Sequence, residues 1–278
     1  MDYIGNTAFD RLRPVLTGNR VLSQCIEETL AARVRRGLRT AEFHVAFQPI
    51  VHARTRSVAG VECLLRWQHP VYGLLLPASF TSAFDDPDVA REASHFVLEH
   101  ACAQLGEAKR AGKVLPRTAV NIQPFQLVDE TLSASIFELT RHHGVDPSLL
   151  ELELVENEDA SNLLATHEFT RSFRQLGIRL ALDDFGSGFS SLASLSSIHI
   201  DTIKVAREFL VHLPASDRAC TVLTGILNLL QALNMTIVVE GVESAEQLGW
   251  LSQYEDIYVQ GYYLARPTMK LVDVLADA

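Results

Sequence analysis

The sequence predicts an α/β fold: a TIM-like (β/α)8 barrel modified by one antiparallel strand. Apolar strand-like runs alternate with helix-period segments from about residue 40 to the end of the 278-residue chain, the rhythm of an α/β domain. Eight such runs occur, the number that closes a barrel. Only the polar stretch HARTRS separates the first two. No crossover helix fits there, so these two pair as an antiparallel hairpin and the rest run parallel.

Taken in order, residues 1–40 form an N-terminal helical extension, too short for a sensor domain, and residues 41–278 form the barrel. The strands are FHVAFQPIV near 43–51, AGVECLLRW near 59–67, TAVNI, LELELVE, IRLALDD, DTIKV, TIVVEGVE and DIYVQGY. Between them, VAREASHFVLEHACAQLGEAKRAG reads as a helix, with Asp86-Pro87 at its start and Gly112 just past its end. His142-His143 before Gly144 suits a helix C-terminus, where cations are favoured. The segment TVLTGILNLLQALN puts Val222, Ile226, Leu229, Leu230 and Leu233 on one apolar stripe.

Composition narrows the function. At 47% hydrophobic the chain can bury a sizeable core. No run reaches the roughly twenty apolar residues of a membrane span, and MDYIGNTAFDRLRP lacks the layout of a signal peptide. The expectation is a cytoplasmic protein that binds no membrane. Cys25, Cys63, Cys102 and Cys220 are scattered and form no C-x-x-C pair, which argues against disulfides and structural zinc. A formal charge of -10 argues against a nucleic-acid partner. The one basic run, ARVRRGLR with Arg33, Arg35, Arg36 and Arg39, reads as a solvated helix face.

The chemistry lies at the strand ends, because barrel active sites are built on the C-terminal rim. After the first strand, successive runs end near Glu62, Asn121, Glu153, Asp183-Asp184, Lys204, Glu240 and Gln260. Each interrupts an apolar run in which a lone charge is expensive. The Asp183-Asp184 pair by itself could equally cap a helix begun by SGFSSLASL; recurrence along seven strands outweighs that reading. Strand alternation puts Glu62, Leu64 and Arg66 on one face and Cys63 and Leu65 on the other, toward the helices. Oxygen ligands without thiols favour Mg²⁺ or Mn²⁺, and five acids suit a two-metal site with ions about 3.5–4 Å apart. Such a site suits phosphate esters. Ser190 or Ser191 as a hydrolase nucleophile is weak, since GSGFSS lacks the G-x-S-x-G elbow.

ECLLRW resembles the E-A-L-L-R-W motif of the EAL-domain cyclic di-GMP phosphodiesterases, and the similarity runs from FQPIV to QGYYLARP. VNIQPFQL, ELELVE, LDDFGSGFSSL, IDTIKV and EGVESAEQL extend it in the family's order. The resemblance implies that Glu62, Asn121, Glu153 and Asp183 hold one metal, with Asp183 bridging to a second held by Asp184 and Glu240. It implies that Lys204 orients the attacking water or stabilises phosphate charge, with Glu240 or a metal-held hydroxide as base. Arg66 would grip a phosphate, Gln48 and Gln260 would position substrate and water, and Glu156 with Glu243 would brace the DDFGSGFSSL loop. The implied reaction opens one phosphodiester of cyclic di-GMP, a bacterial second messenger, to give linear pGpG. A homodimer is also implied, and a regulatory protein partner is open.

Three positions depart from the family pattern. Cys63 replaces the alanine of E-A-L on the face turned from the cavity. Val155 removes a hydroxyl from E-x-T-E, and Ala206 stands where K-x-D has an acid that would support Lys204 or the second metal. A silent cyclic di-GMP receptor or a protein-binding regulator is therefore the alternative to an enzyme.

Overall fold

A computed structural model describes residues 28–155, 158–187 and 192–276. The extension up to residue 27 with Cys25, and also Glu156, Ser190 and Ser191, lie outside the described residues. The chain divides into two compact units, one comprising residues up to Val45 with Leu65–Phe96 and the other Ala46–Leu64 with Val97–Ala278.

The larger unit carries the barrel. Strands β1 (Phe43–His52) and β2 (Val58–His69) contribute to it from Ala46 and up to Leu64; β4 (Arg117–Asn121), β5 (Leu150–Val155), β6 (Arg179–Phe185), β7 (Thr202–Val205), β8 (Thr236–Val239) and β9 (Ile257–Val259) complete it. The order β1-β9-β8-β7-β6-β5-β4-β2 closes through pairing of β1 with β2. Neighbours from β2 round to β9 are parallel, while β1 meets β9 antiparallel, Val51 opposite Val259. The reversed strand is thus β1, as the six-residue HARTRS turn requires.

Alternation along LELELV shows how the barrel is built. Leu150, Leu152 and Leu154 are fully buried. Glu151 and Glu153 occupy the other face and mark the two ends of the interior. At the N-terminal end Glu151 accepts from Thr202 Oγ1 at 2.7 Å, and Arg179 donates to Thr236 Oγ1 at 2.7 Å. That polar plug leaves the opposite, C-terminal rim for the site.

The helices named from sequence form: α2 (Pro87–Arg110), begun by Asp86, and α3 (Glu130–His143), ended by Gly144 in the left-handed region. Helices α4 (Glu158–Leu164), α5 (His167–Gln175), α6 (Asp217–Ala232), α7 (Ala245–Leu251) and α8 (Leu271–Val274) follow. The stripe predicted on α6 needs correction: Leu223, Leu227 and Leu230 are the buried row, while Val222, Leu229 and Leu233 are exposed. The segment is apolar on two adjacent rows, so spacing alone does not choose between them.

The smaller unit contains α1 (Leu30–Arg39), the outer ends of the hairpin and the short strand β3 (Gly73–Leu75), which pairs antiparallel with β2. Sequence reading missed β3, because three residues carry no alternation. Trp67 stacks on Phe43 at 4.9 Å, and Glu42 accepts from Trp67 Nε1 at 2.9 Å and from Arg33 at 2.7 Å. A Cβ on Gly37 would lie 2.8 Å from the Phe43 ring, so the glycine is what lets α1 approach. The basic run is a solvated face at Arg36 and Arg39, whose side chains stay more than half exposed while pairing with Glu28 and Glu92; Arg35 pairs with Glu92 and Asp88, and Arg33, paired with Glu42, is the part-buried exception.

Glu42→Ala strands two part-buried donors, Trp67 Nε1 and the Arg33 guanidinium. Urea unfolding followed by tryptophan fluorescence should show a loss of about 1–3 kcal/mol; a loss below about 0.5 kcal/mol would mean that water replaces the carboxylate.

Candidate active site

The C-terminal strand ends of the larger unit meet around a cavity of about 330 Å³, with Gln48, Glu62, Asp183, Asp184, Glu240 and Gln260 in its wall. At its base the Lys204 ammonium, 1% exposed, lies 3.2 Å from Glu62, 3.1 Å from Glu153, 3.2 Å from Asp183 and 2.7 Å from Glu240. Four strands, β2, β5, β6 and β7, and the residue just after β8 supply these groups. Glu153, Asp183, Lys204 and Glu240 sit within two residues of their strand ends, and Glu62 lies inside the longer β2, in the part that belongs to the barrel, so closing the barrel brings them together.

Glu62 is held from three sides. Its Oε1 accepts from Asn121 Nδ2 at 2.9 Å, and its Oε2 accepts from Gln260 Nε2 at 2.8 Å and from Lys204. Leu64 joins Glu62 on the cavity wall while Cys63 is buried away from it, the alternation expected for β2.

Neighbouring residues on a regular strand point to opposite faces, yet Asp183 and Asp184 share this site. The pairing of β6 with β7 shifts register between Leu182 and Phe185, and Asp184 adopts a left-handed φ of 57°. Its N–H donates to Asp183 Oδ1 at 3.0 Å. In consequence Asp183, Asp184 and Glu240 bring carboxylate oxygens within 4.8 Å of one another. Gly186, also at positive φ, completes the turn: a Cβ there would sit 2.5 Å from the Phe209 ring.

Five carboxylates and one ammonium leave the site strongly negative. Burial, opposed by Lys204 and reinforced by Asp183 and Glu62, pushes the Glu240 carboxyl up to about 8. Burial and neighbouring carboxylates likewise raise Glu153, Asp183 and Asp184. Glu62 goes the other way: burial is outweighed by Lys204, Gln260 and Asn121, which hold it below its ordinary value. Burial works against charge on Lys204, but Asp183, Glu153, Glu240 and Glu62 hold it well above the usual lysine range. Glu153 Oε1 and Gln260 Oε1 are buried without a hydrogen-bond partner. An all-oxygen donor set with excess negative charge and unpartnered oxygens fits a hard divalent cation.

Of the other residues singled out from sequence, Gln48 is buried and donates to the Ala265 carbonyl at 3.5 Å. Glu243 is exposed on the cavity wall, its N–H bonded to Gln247 Oε1. Arg66 belongs to the smaller unit, where it donates to the Leu65 carbonyl. Val155 is 46% exposed at the end of β5, and Ala206 is fully buried just after β7. Sequence reading missed Arg207 and Tyr262, both on the cavity wall. Their signal was position: each lies two or three residues beyond a strand-end residue already chosen.

The EAL domain profile matches residues 31–267. An uncharacterized signaling protein of Caulobacter vibrioides is 35% identical over 86% of this chain and 29% of its own length. The cyclic di-GMP phosphodiesterase NbdA of Pseudomonas aeruginosa is 33% identical over 87% of this chain and 31% of its own. The chain therefore spans about a third of the length of these curated relatives. A solved structure of the PaMucR phosphodiesterase in complex with c-di-GMP matches with a TM-score of 0.78 at 30% identity, over 88% of this chain and 99% of that one. Motifs, strand order and rim chemistry agree with these matches, and the chain belongs to the EAL domain family.

Proposed function

We propose that this chain hydrolyses cyclic di-GMP to linear pGpG in a reaction that depends on divalent metal. The observation that carries the reading is the ring of carboxylates around Lys204, in a chain related to a cyclic di-GMP phosphodiesterase. Asp183, Asp184 and Glu240, with Glu62, Asn121 and Glu153, would hold one or two Mg²⁺ or Mn²⁺ ions, supplying positive charge for an anionic phosphodiester and acidifying water.

The chain's own groups divide the remaining work. Glu240, on the cavity wall 2.7 Å from Lys204, is placed to take a proton from the attacking water. The water oxygen forms the new bond to phosphorus, the bond to one ribose 3′ oxygen breaks, and the proton ends on that leaving oxygen. Lys204 keeps its charge throughout and stabilises negative charge as it grows on the phosphate. Asn121 and Gln260 hold Glu62 in one orientation.

A second reading, a receptor that binds cyclic di-GMP without turnover, is favoured by Ala206, a buried methyl where a supporting acid would stand. Purified protein with cyclic di-GMP and Mg²⁺ or Mn²⁺, analysed by chromatography, separates the two. Product should appear only with metal, and Glu62→Ala should lower the rate on the order of 100-fold or more. Saturable nucleotide binding without product would sink the enzyme reading and leave the receptor.

The raised carboxyl of Glu240 also sets a pH dependence. Between the ordinary value of 4.5 and about 8 the folded, metal-free protein holds a proton that the unfolded chain has lost. Its stabilisation is fully present below the lower value and lost as pH rises through the upper one. Glu153, Asp183 and Asp184 act in the same direction, while the lowered Glu62 acts only below its unfolded value. The thermal midpoint of EDTA-treated protein should fall from about pH 5 to about pH 9, and Mn²⁺ should raise it most at the alkaline end. A midpoint that climbs over that range would contradict this charge balance.

A further inference from the structure

One wall of the rim cavity is aromatic, and the chemistry above does not use it. Tyr262 lines the cavity with Gln260, Glu62 and Asp184, yet its side chain is 54% exposed. An exposed aromatic needs no explanation by itself; three features set this one apart.

The backbone beneath it is clasped. Val242 N–H donates to the Gln260 carbonyl at 3.0 Å, and Tyr263 N–H donates to the Val242 carbonyl at 3.1 Å. Gly261 runs so close that a Cβ there would sit 2.1 Å from the Val242 oxygen, so only glycine allows this course. The two consecutive tyrosines are also split: Tyr262 faces the rim cavity, whereas Tyr263 lines a separate cavity with Pro49, Leu248 and Val274. Finally, the Arg266 guanidinium lies 5.2 Å from the Tyr262 ring centroid, a cation–π contact that restrains the ring. Among the described residues no other ring or cation covers it.

A restrained ring with an open face beside a phosphodiester site suits a nucleobase. A cavity of about 330 Å³ is at the small end for ligand pockets. With the reacting phosphate held near the carboxylates, a base of a cyclic dinucleotide must reach out to the rim. We infer that Tyr262, braced by Arg266, is the platform on which one guanine of cyclic di-GMP stacks. This rests on the proposed function, and it assigns to the rim a binding role separate from the chemistry at Lys204.

The test uses the full chain and its Tyr262→Ala, Tyr262→Leu, Tyr262→Phe and Tyr262→Trp variants. Calorimetric titration with cyclic di-GMP gives Kd, and turnover gives KM and kcat. Tyr262→Ala should weaken Kd and raise KM by about 5- to 150-fold, the range base–aromatic stacking spans on truncation, with the loss in KM rather than kcat. Tyr262→Leu, which keeps apolar bulk without a π face, should share that loss, and Phe and Trp should restore binding. Tyr262→Ala with wild-type Kd and KM, or Phe failing where Tyr succeeds, would overturn the inference alone. Wild-type protein that neither binds nor cleaves cyclic di-GMP would instead overturn the proposed function and this inference with it.

Discussion

A buried ammonium surrounded by carboxylates is the constraint on which the site depends. Lys204 is almost fully buried and touches Glu62, Glu153, Asp183 and Glu240. An unpaired charge at that depth would be prohibitive, and so would several carboxylates crowded together without a cation. Each sign makes the other possible, and neither is balanced: one lysine faces more acid than it can neutralise. That surplus pushes Glu240, Glu153, Asp183 and Asp184 toward their protonated forms and makes the rim receptive to a second positive charge.

The barrel supplies the geometry that keeps this arrangement from relaxing. Parallel pairing of β2, β4, β5 and β6 sets Glu62, Asn121, Glu153 and Asp183 at similar heights, and the amides of Asn121 and Gln260 fix Glu62. Asp184 is the exception that extends the site. Its left-handed backbone, at the register shift before Gly186, returns a second carboxylate to the side already occupied by the first. A straight strand would have sent it toward the helices. The same logic of close backbone approach recurs across the rim, where Gly261 against Val242 decides where Tyr262 stands.

Much of this was legible in the chain. The HARTRS turn dictated a hairpin, and eight runs with helical segments between them dictated a barrel with one reversed strand. Polar residues ending apolar runs marked the rim, because strand ends are where a barrel gathers its chemistry. What misled was local ambiguity: α6 carries apolar residues on two adjacent rows, so the exposed Val222, Leu229 and Leu233 looked like the core stripe. The basic run of α1 is solvated at Arg36 and Arg39, but its ion pairs were not legible, because acidic partners such as Glu92 lie far along the sequence.

By itself, then, the sequence determined which residue types meet: acids, one lysine and amides, each interrupting an apolar run whose place in the strand order is known. Period and turn length are local properties, and local patterns are enough to specify strand, direction and face. Only the tertiary structure decided that Lys204 sits among four carboxylates, that Asp184 turns back beside Asp183, and that Tyr262 rather than Tyr263 faces the cavity. Those outcomes depend on distances between residues up to about two hundred positions apart, such as Gln260 and Glu62. Such distances follow from closing the sheet and packing its loops, which no stretch of local pattern contains.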